Sequence, residues 1–231
     1  MSFYKPPILL YHRVAKEGDP TMTVSPTAFR RQVEHVARQK ERVIPLDRWV
    51  EGILGEGDAV HQPLMITFDD GHLETFTEAF PVLHRHHLSA TLFMVTDWIG
   101  RDGFLTWGQL QVLADAGWTI GSHTKSHPYL PELSVSKWEE EIRGSKEILE
   151  EGLKCPVTLF SYPIGGFTEE MIPYVERAGY RAACTTNRGP SRSLDRYRLT
   201  RIKMTESSHP FVLWAKTSGY YEHFKRPKPS H

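Results

Sequence analysis

The chain has 231 residues, with 28 lysines and arginines against 28 aspartates and glutamates, so its formal net charge is zero. Hydrophobic residues make up 39% and charged residues 24%, which is ordinary for a globular domain. The charge balance argues against a general nucleic-acid partner. No apolar run approaches the ~20 residues of a transmembrane helix, so no membrane-spanning segment is expected.

Strand and helix signals alternate along the chain. Short apolar runs predict seven strands, at Ile8–Tyr11, Leu64–Phe68, Ala90–Thr96, Trp118–Ser122, Val157–Tyr162, Tyr180–Thr185 and Tyr197–Lys203. Capping residues and apolar side chains at helical spacing predict helices between them, beginning near Ser25, Asp47, Thr106, Ser134 or Ser136, and Thr168, with others through Phe76 to His87 and Phe211 to Phe224. The acidic run from Glu139 to Glu141 is predicted to form an exposed helix face.

This alternation predicts a parallel sheet joined by crossover helices. A distorted (β/α) barrel of about seven parallel strands is the simplest one-domain arrangement at this length, and a doubly wound open sheet is the alternative. We expect residues 1–231 to form a single domain, with a flexible basic tail from about residue 225.

Two adjacent carboxylates follow the second strand, in the segment Thr67-Phe68-Asp69-Asp70-Gly71. Ends of parallel strands are where α/β enzymes place their chemistry. Two like charges this close are unfavourable unless a cation or a shared proton relieves them, which points to a metal. A surface turn explains the same residues equally well, because Asp-Asp-Gly favours turns.

Two histidines, His123 and His127, follow the strand that ends near Ser122. If this segment turns helically, residues four apart share a face and can chelate one ion. Neutral imidazoles suit Zn²⁺ and other late divalent metals, with a carboxylate as the third ligand. Together with Asp69 and Asp70, the histidines predict a metal centre at one edge of the sheet.

These segments resemble the NodB-homology polysaccharide deacetylases, carbohydrate esterase family 4. Thr67 to Gly71 matches the family's first motif, His123 to His127 its second, and Phe160-Ser161-Tyr162-Pro163-Ile164-Gly165 resembles its third. The resemblance covers roughly Ile8 to Lys203, with the motifs in family order. It implies a barrel fold and a metal-dependent hydrolase acting on carbon-nitrogen bonds.

The resemblance also implies roles for individual residues. Asp69 would be the catalytic base that takes a proton from the attacking water, while Asp70, His123 and His127 would bind the metal. The backbone N–H of Tyr162 would help to hold the oxyanion. Pro163 of the same motif and the rings of Trp107 and Tyr162 are further candidates for contact with the substrate, because aromatic rings suit sugar faces, although burial in the core is the alternative for both rings.

The chain departs from the family pattern in two places. Ser161 stands where most members have an arginine that orients the catalytic base, and no fourth motif with its aspartates is found. The subgroup that deacetylates poly-N-acetylglucosamine shares the Tyr-Pro found here and carries a Tyr-His near its N-terminus, like Tyr11-His12. By that resemblance His12 would be the catalytic acid, and otherwise it is a structural histidine.

The expected function is therefore removal of N-acetyl groups from an amino-sugar glycan, with Zn²⁺ as the expected cofactor and Co²⁺ or Ni²⁺ as alternatives. Two other functions remain open: hydrolysis of a small N-acyl or cyclic amide, and glycan binding by a weakened site. No export signal is visible, so a cytoplasmic location is expected, with an extracytoplasmic one if the chain is a processed form.

Overall fold

The computed structural model describes residues 6–186, 195–207 and 209–221. In these ranges the strands are β1 Ile8–Tyr11, β2 Arg13–Val14, β3 Thr23–Val24, β4 Met65–Phe68, β5 Thr91–Met94, β6 Thr119–Ser122, β7 Leu159–Ser161, β8 Ala182–Thr185, β9 Leu199–Thr200 and β10 Ile202–Lys203. The helices are α1 Pro26–Ala37, α2 Leu46–Leu54, α3 Phe80–Arg85, α4 Trp107–Asp115, α5 Val135–Glu139, α6 Ser145–Leu153, α7 Ile172–Arg177 and α8 Pro210–Thr217.

Eight strands form one parallel sheet in the order β10-β1-β4-β5-β6-β7-β8-β9, while β2 and β3 pair separately. Its two outer strands, β9 and β10, are consecutive in sequence and separated only by Arg201. β9 pairs with β8 and β10 with β1, so this bent segment brings the two edges of the sheet together. Seven strand positions thus surround a nearly closed barrel, which confirms the predicted fold over the open sheet.

Alternate residues of the strands face two separate cores. One set, which includes Met65, Phe93 and Leu159, packs inside the barrel together with residues of α2. The other set, which includes Phe68 and Phe160, packs against the outer helices. Both sides of the sheet are therefore buried, which explains why the strands read as continuous apolar runs.

Helix α2 covers the amino ends of the strands. The Leu46 N–H donates to Thr91 Oγ1 at the start of β5, over 3.1 Å. Asp47 was expected to cap α2, but Pro45 precedes the helix, and the Asp47 carboxylate instead accepts from Thr119 Oγ1 at the start of β6, over 2.7 Å. Because α2 covers the amino ends, a functional site is expected at the carboxyl ends of the strands.

Two predicted helices contain a wider π-helical turn. Thr75–Ala79 precedes α3, and Glu140–Gly144 joins α5 to α6 within the long helix that begins after Ser134. In the acidic run predicted to be exposed, Glu139 and Glu140 are exposed, but Glu141 is buried, with 8% of its surface exposed, because it lies three residues after the buried Trp138 on the inner helix face.

The predicted terminal helix ends early, at Thr217, and its expected continuation to Phe224 falls partly outside the described residues, as does the basic tail from about residue 225. Within the described ranges, no helix has both the length and the apolar character required to cross a bilayer.

A stack of aromatic rings ties the barrel to its outer layer. Phe68 lies between Tyr11 and Trp118, with centroids 5.4 and 5.5 Å away and interplanar angles of 22° and 24°. Because Phe68 immediately precedes Asp69, this packing fixes the end of β4 that carries the paired carboxylates.

Replacing Phe68 with alanine should lower the free energy of unfolding by about 3–5 kcal/mol, since it removes a fully buried ring and leaves a cavity. Urea unfolding measures the change. Phe68→Leu, which keeps most of the apolar volume, should cost clearly less, and equal losses for the two variants would contradict a packing role.

Candidate active site

Polar side chains gather where the strands end. His12 follows β1, Asp69 and Asp70 follow β4, His123 follows β6, and Ser161 ends β7. The register places Tyr11 opposite Phe68, so the next pair along is His12 and Asp69. The structure thus brings together the two catalytic and three metal-binding residues predicted from the sequence.

Three of these side chains can converge on one ion. Asp70, His123 and His127 each offer one ligand atom, and all these atoms lie within 4.8 Å of one another. Asp70 Oδ1 is 3.6 Å from His123 Nε2 and 3.5 Å from His127 Nε2. Ligands held ~2.1 Å from a metal at tetrahedral angles are about 3.4 Å apart, so these separations fit such an ion.

The hydrogen bonding of the cluster also fits a cation. His123 Nδ1 lies 2.7 Å from the Ser161 carbonyl oxygen and donates its proton there, leaving Nε2 with a free lone pair toward Asp70. Asp70 Oδ1 is buried without a hydrogen-bond partner among the described residues. A buried carboxylate oxygen beside two imidazoles is a ligand set that suits Zn²⁺ and similar ions.

A further histidine holds the other oxygen of Asp70. His72 Nε2 lies 3.5 Å from Asp70 Oδ2, and its ring stacks on Phe104 with centroids 5.0 Å apart. Burial alone would raise the pKa of the Asp70 carboxyl, but the hydrogen bond from His72 and the charges of nearby histidines hold that pKa well below its usual range. Asp70 is therefore an anion at neutral pH.

His123 and His127 do not lie on a helical turn, which corrects the geometry expected from their spacing. The segment between them is an irregular loop in which Thr124 and His127 have positive φ values of 66° and 63°. Asp70 shares this left-handed conformation, with a φ of 73°. Such strain in residues other than glycine is typical of functional sites, where the surrounding structure enforces it.

Asp69 is held by an arginine that sequence reasoning missed. Arg201 donates to both Asp69 oxygens over 2.6 Å, and its Nη2 also donates to Ser161 Oγ over 2.8 Å. The Arg201 side chain has no exposed surface. Burial alone would raise the pKa of the Asp69 carboxyl, but the charge of Arg201, with His123 and the arginine's hydrogen bonds, keeps that pKa below its ordinary value.

This arrangement explains the serine of the third motif. An arginine at position 161 is unnecessary because Arg201 reaches the same carboxylate from the closing strand, and Ser161 accepts one of its N–H groups. The sequence signal was weak, because Tyr197–Lys203 contains three charged residues, Arg198, Arg201 and Lys203, and only the structure shows that Arg201 is the buried one.

His12 lies within range of the charges of Asp69, Asp70 and His123. Burial lowers the pKa of its imidazole to about 4, although the two carboxylates act in the opposite direction. His12 is therefore neutral at pH 7, and it must gain a proton before it can act as an acid.

The third motif needs a correction. The Tyr162 N–H donates to the Cys184 carbonyl over 3.0 Å within the sheet, and the Tyr162 ring is fully buried against Phe167. Neither group is free for substrate.

The free amide in this motif is the one after Pro163. Pro163 has no N–H, so the next amide is that of Ile164, which has no hydrogen-bond partner within the described part of the chain. Ile164 is 66% exposed with a φ of 59°, a strained conformation for a β-branched residue.

Trp107 lies in the outer helical layer. It begins α4, and its ring packs so closely on Gly152 of α6 that a methyl group there would be 2.2 Å from the ring. The indole therefore has a packing role, and contact with substrate stays a prediction.

Comparison with known proteins identifies the family. Residues 56–183, more than half of the chain, match the family described as polysaccharide deacetylase, so the chain belongs to that family. The solved structure of the Streptococcus pyogenes deacetylase PplD has the same fold, with a TM-score of 0.85, 23% identity and coverage of 91% of this chain and 97% of that one.

Two sequence relatives differ in how much of them the chain spans. A poly-β-1,6-N-acetyl-D-glucosamine N-deacetylase of Staphylococcus epidermidis is 24% identical over 230 residues, covering 87% of this chain and 79% of that protein. YxkH of Bacillus subtilis is 34% identical over 143 residues, covering 62% of this chain. The chain spans only about half of YxkH, 51% of its length.

Replacing Arg201 with methionine should lower the free energy of unfolding by about 3–5 kcal/mol, because Asp69 would be left buried and unpaired. The double variant Arg201→Met with Asp69→Leu should recover much of this loss. Urea unfolding of the metal-free protein checks both. Arg198→Met is the matched control, since Arg198 pairs with Glu169 and Asp195 at the surface and should cost less than about 1 kcal/mol.

A double variant as unstable as Arg201→Met would contradict the ion-pair explanation, because the unpaired carboxylate would then not be the source of the loss.

The lowered pKa of His12 predicts pH-dependent stability. Between its ordinary value of 6.5 and about 4, the unfolded chain binds more protons than the folded one, so stability falls as pH drops through this window. The contribution is at most about 3 kcal/mol. In metal-free protein, His12→Gln should lose less stability than wild type between pH 7 and pH 4. Parallel losses in urea unfolding would rule out the shift.

Proposed function

We propose that this protein is a metal-dependent hydrolase that removes N-acetyl groups from an N-acetylated amino-sugar glycan. The single observation that carries the proposal is the cluster of Asp70, His123 and His127 beside an ionised Asp69 held by Arg201. Membership of the polysaccharide deacetylase family supports the reaction class. The name of the Staphylococcus epidermidis relative supports an N-acetylglucosamine polymer as the substrate class.

Asp70, His123 and His127 would hold the divalent cation. When bound, that cation supplies Lewis acidity, which polarises the amide carbonyl and lowers the pKa of water. The chain provides one carboxylate and two neutral imidazoles, which leaves positions open for water and substrate. Zn²⁺ is our proposed ion, with Co²⁺ and Ni²⁺ as alternatives that the same ligands accept.

Asp69 takes a proton from the attacking water. Arg201 keeps the carboxylate ionised and fixes its plane, and a carboxylate has about four lone-pair sites, so it can accept from Arg201 and still reach water. Asp69 Oδ2 lies 3.6 Å from His123 Nε2, next to the cluster. Asp69 and Asp70 are adjacent in sequence, but they have separate roles, since Asp69 pairs with Arg201 as the base and Asp70 is a metal ligand.

Two further groups complete the reaction. The free amide of Ile164 is the proposed donor to the developing oxyanion, in place of the Tyr162 amide. The departing amine needs a proton, and His12 is the proposed source. As a neutral imidazole at pH 7 it would receive the proton that Asp69 has taken from the water, an uptake that the adjacent carboxylates favour, and pass it to the nitrogen as the carbon-nitrogen bond breaks.

The decisive experiment measures acetate and free amine released from N-acetylated amino-sugar oligosaccharides, together with bound metal. Protein reloaded with Zn²⁺, Co²⁺ or Ni²⁺ should be active, and chelated protein inactive. Asp70→Asn and His123→Ala should lose both metal and activity. Asp69→Asn should keep the metal but lose about 10²–10⁴-fold in kcat, since only the base is removed.

Asp97→Asn serves as the control for metal content, because Asp97 is a carboxylate in the 3₁₀ turn Thr96–Trp98 after β5, outside the cluster. Full activity in chelated protein or in Asp70→Asn would refute metal dependence. Hydrolysis of small N-acyl or cyclic amides without any action on oligosaccharides would refute the glycan as substrate.

A further inference from the structure

Glu141 is a buried carboxylate that faces the loop between His123 and His127. Its Oε2 accepts the backbone N–H groups of Lys125 and Ser126, each over 2.9 Å. Its Oε1 accepts from Ser126 Oγ over 2.6 Å. The Glu141 side chain, which belongs to the outer helical layer, thus accepts three hydrogen bonds from the middle of the loop.

Few interactions within the loop 123–127 stabilise its conformation. It has no regular structure, and two of its five residues are left-handed. Within it, the His127 N–H donates to Thr124 Oγ1 over 3.0 Å, which does not include His123. The separation of the two imidazoles therefore depends on contacts from outside the loop.

The position of Glu141 in its helix explains how it reaches inward. Glu141 lies in the π-helical turn Glu140–Gly144, three residues after Trp138 and four before Ser145, and both of these are buried, so helical spacing places it on the inner face. The same helical segment reaches the loop a second time, through Ser122. Ser145 Oγ donates to the Glu141 carbonyl and lies 2.7 Å from Ser122 Oγ, which accepts the Thr124 N–H over 3.2 Å.

We propose that Glu141 is a positioning residue, which sets the separation of His123 and His127 so that both imidazoles meet one cation with Asp70. The inference rests on the proposed function only in taking this cluster as a cation site. Hydrogen bonds to an ionised carboxylate are stronger than neutral ones, and burial strengthens them further. Glu141 touches neither the ligand atoms nor the substrate, so it acts through the loop backbone.

The adjacent Glu140 provides a matched control. It lies on the same turn and contacts the same loop, but through the Lys125 ammonium at the surface, over 2.9 Å, and it also pairs with Lys137. Glu140→Ala therefore removes a carboxylate and a contact with the loop without touching the loop backbone.

The first measurement is affinity for Zn²⁺, by competition with a chromophoric chelator, and the absorption spectrum of the Co²⁺ form. Glu141→Ala should bind Zn²⁺ about 10–100-fold more weakly and change the Co²⁺ spectrum, as expected when a ligand loses its support. Glu141→Gln keeps an acceptor oxygen for both amides and should recover most of the affinity. Glu140→Ala should match the wild type.

The second measurement needs no metal. In the metal-free protein, hydrogen exchange at the Lys125 and Ser126 amides should be faster in Glu141→Ala and unchanged in Glu140→Ala, because only Glu141 accepts from these groups. Glu141→Asp, which keeps the charge on a shorter side chain, is the second variant in case Glu141→Ala does not fold. It should also exchange faster and bind Zn²⁺ more weakly.

Wild-type affinity and wild-type amide exchange in Glu141→Ala, or in Glu141→Asp if that variant alone folds, would overturn the inference. Equal loss in the Glu140 control would do so too, because the effect would then belong to the helix as a whole. A wild-type protein that binds no cation would instead refute the proposed function. The exchange rates would still report whether Glu141 holds the loop.

Discussion

The ion pair between Asp69 and Arg201 links the closure of the barrel to its chemistry. Arg201 lies between β9, which pairs with β8, and β10, which pairs with β1. Its guanidinium reaches across the interior to Asp69 at the end of β4. A buried arginine requires a buried anion, and the anion requires the arginine, so neither strand can shift without exposing an unpaired charge.

The remainder of the site is arranged around that pair. The aromatic stack on Phe68 sets the end of β4, and the Ser161 carbonyl at the end of β7 fixes the tautomer of His123. Asp69 and Asp70 share the end of β4 but have separate partners, since Asp69 faces Arg201 and Asp70 faces His72 and the two other histidines. Adjacent carboxylates can therefore carry different tasks without repelling each other.

Hydrophobic patterning was enough to predict a parallel sheet with crossover helices, but it left a barrel and an open sheet as alternatives, and the family resemblance indicated the barrel. Both faces of a parallel sheet are buried, so each strand is a continuous apolar run, and capping residues such as Thr106 mark where helices begin. The interpretation failed at local details that patterning does not encode. Asp47 bonds to β6 rather than capping its helix, and Glu141 is buried against the histidine loop, although the sequence shows it only as one of three glutamates.

By itself, the sequence determined the alternation of strands and helices, and it placed Asp69, Asp70, His123 and His127 at strand ends, because these depend on short-range pattern and on motif spacing. Only the tertiary structure decided which charge stabilises Asp69, which backbone amide near Pro163 is free, and which carboxylate holds the histidine loop. These are contacts between residues far apart in sequence. Arg201 lies 132 positions from Asp69, and local propensities carry no information about such a pair.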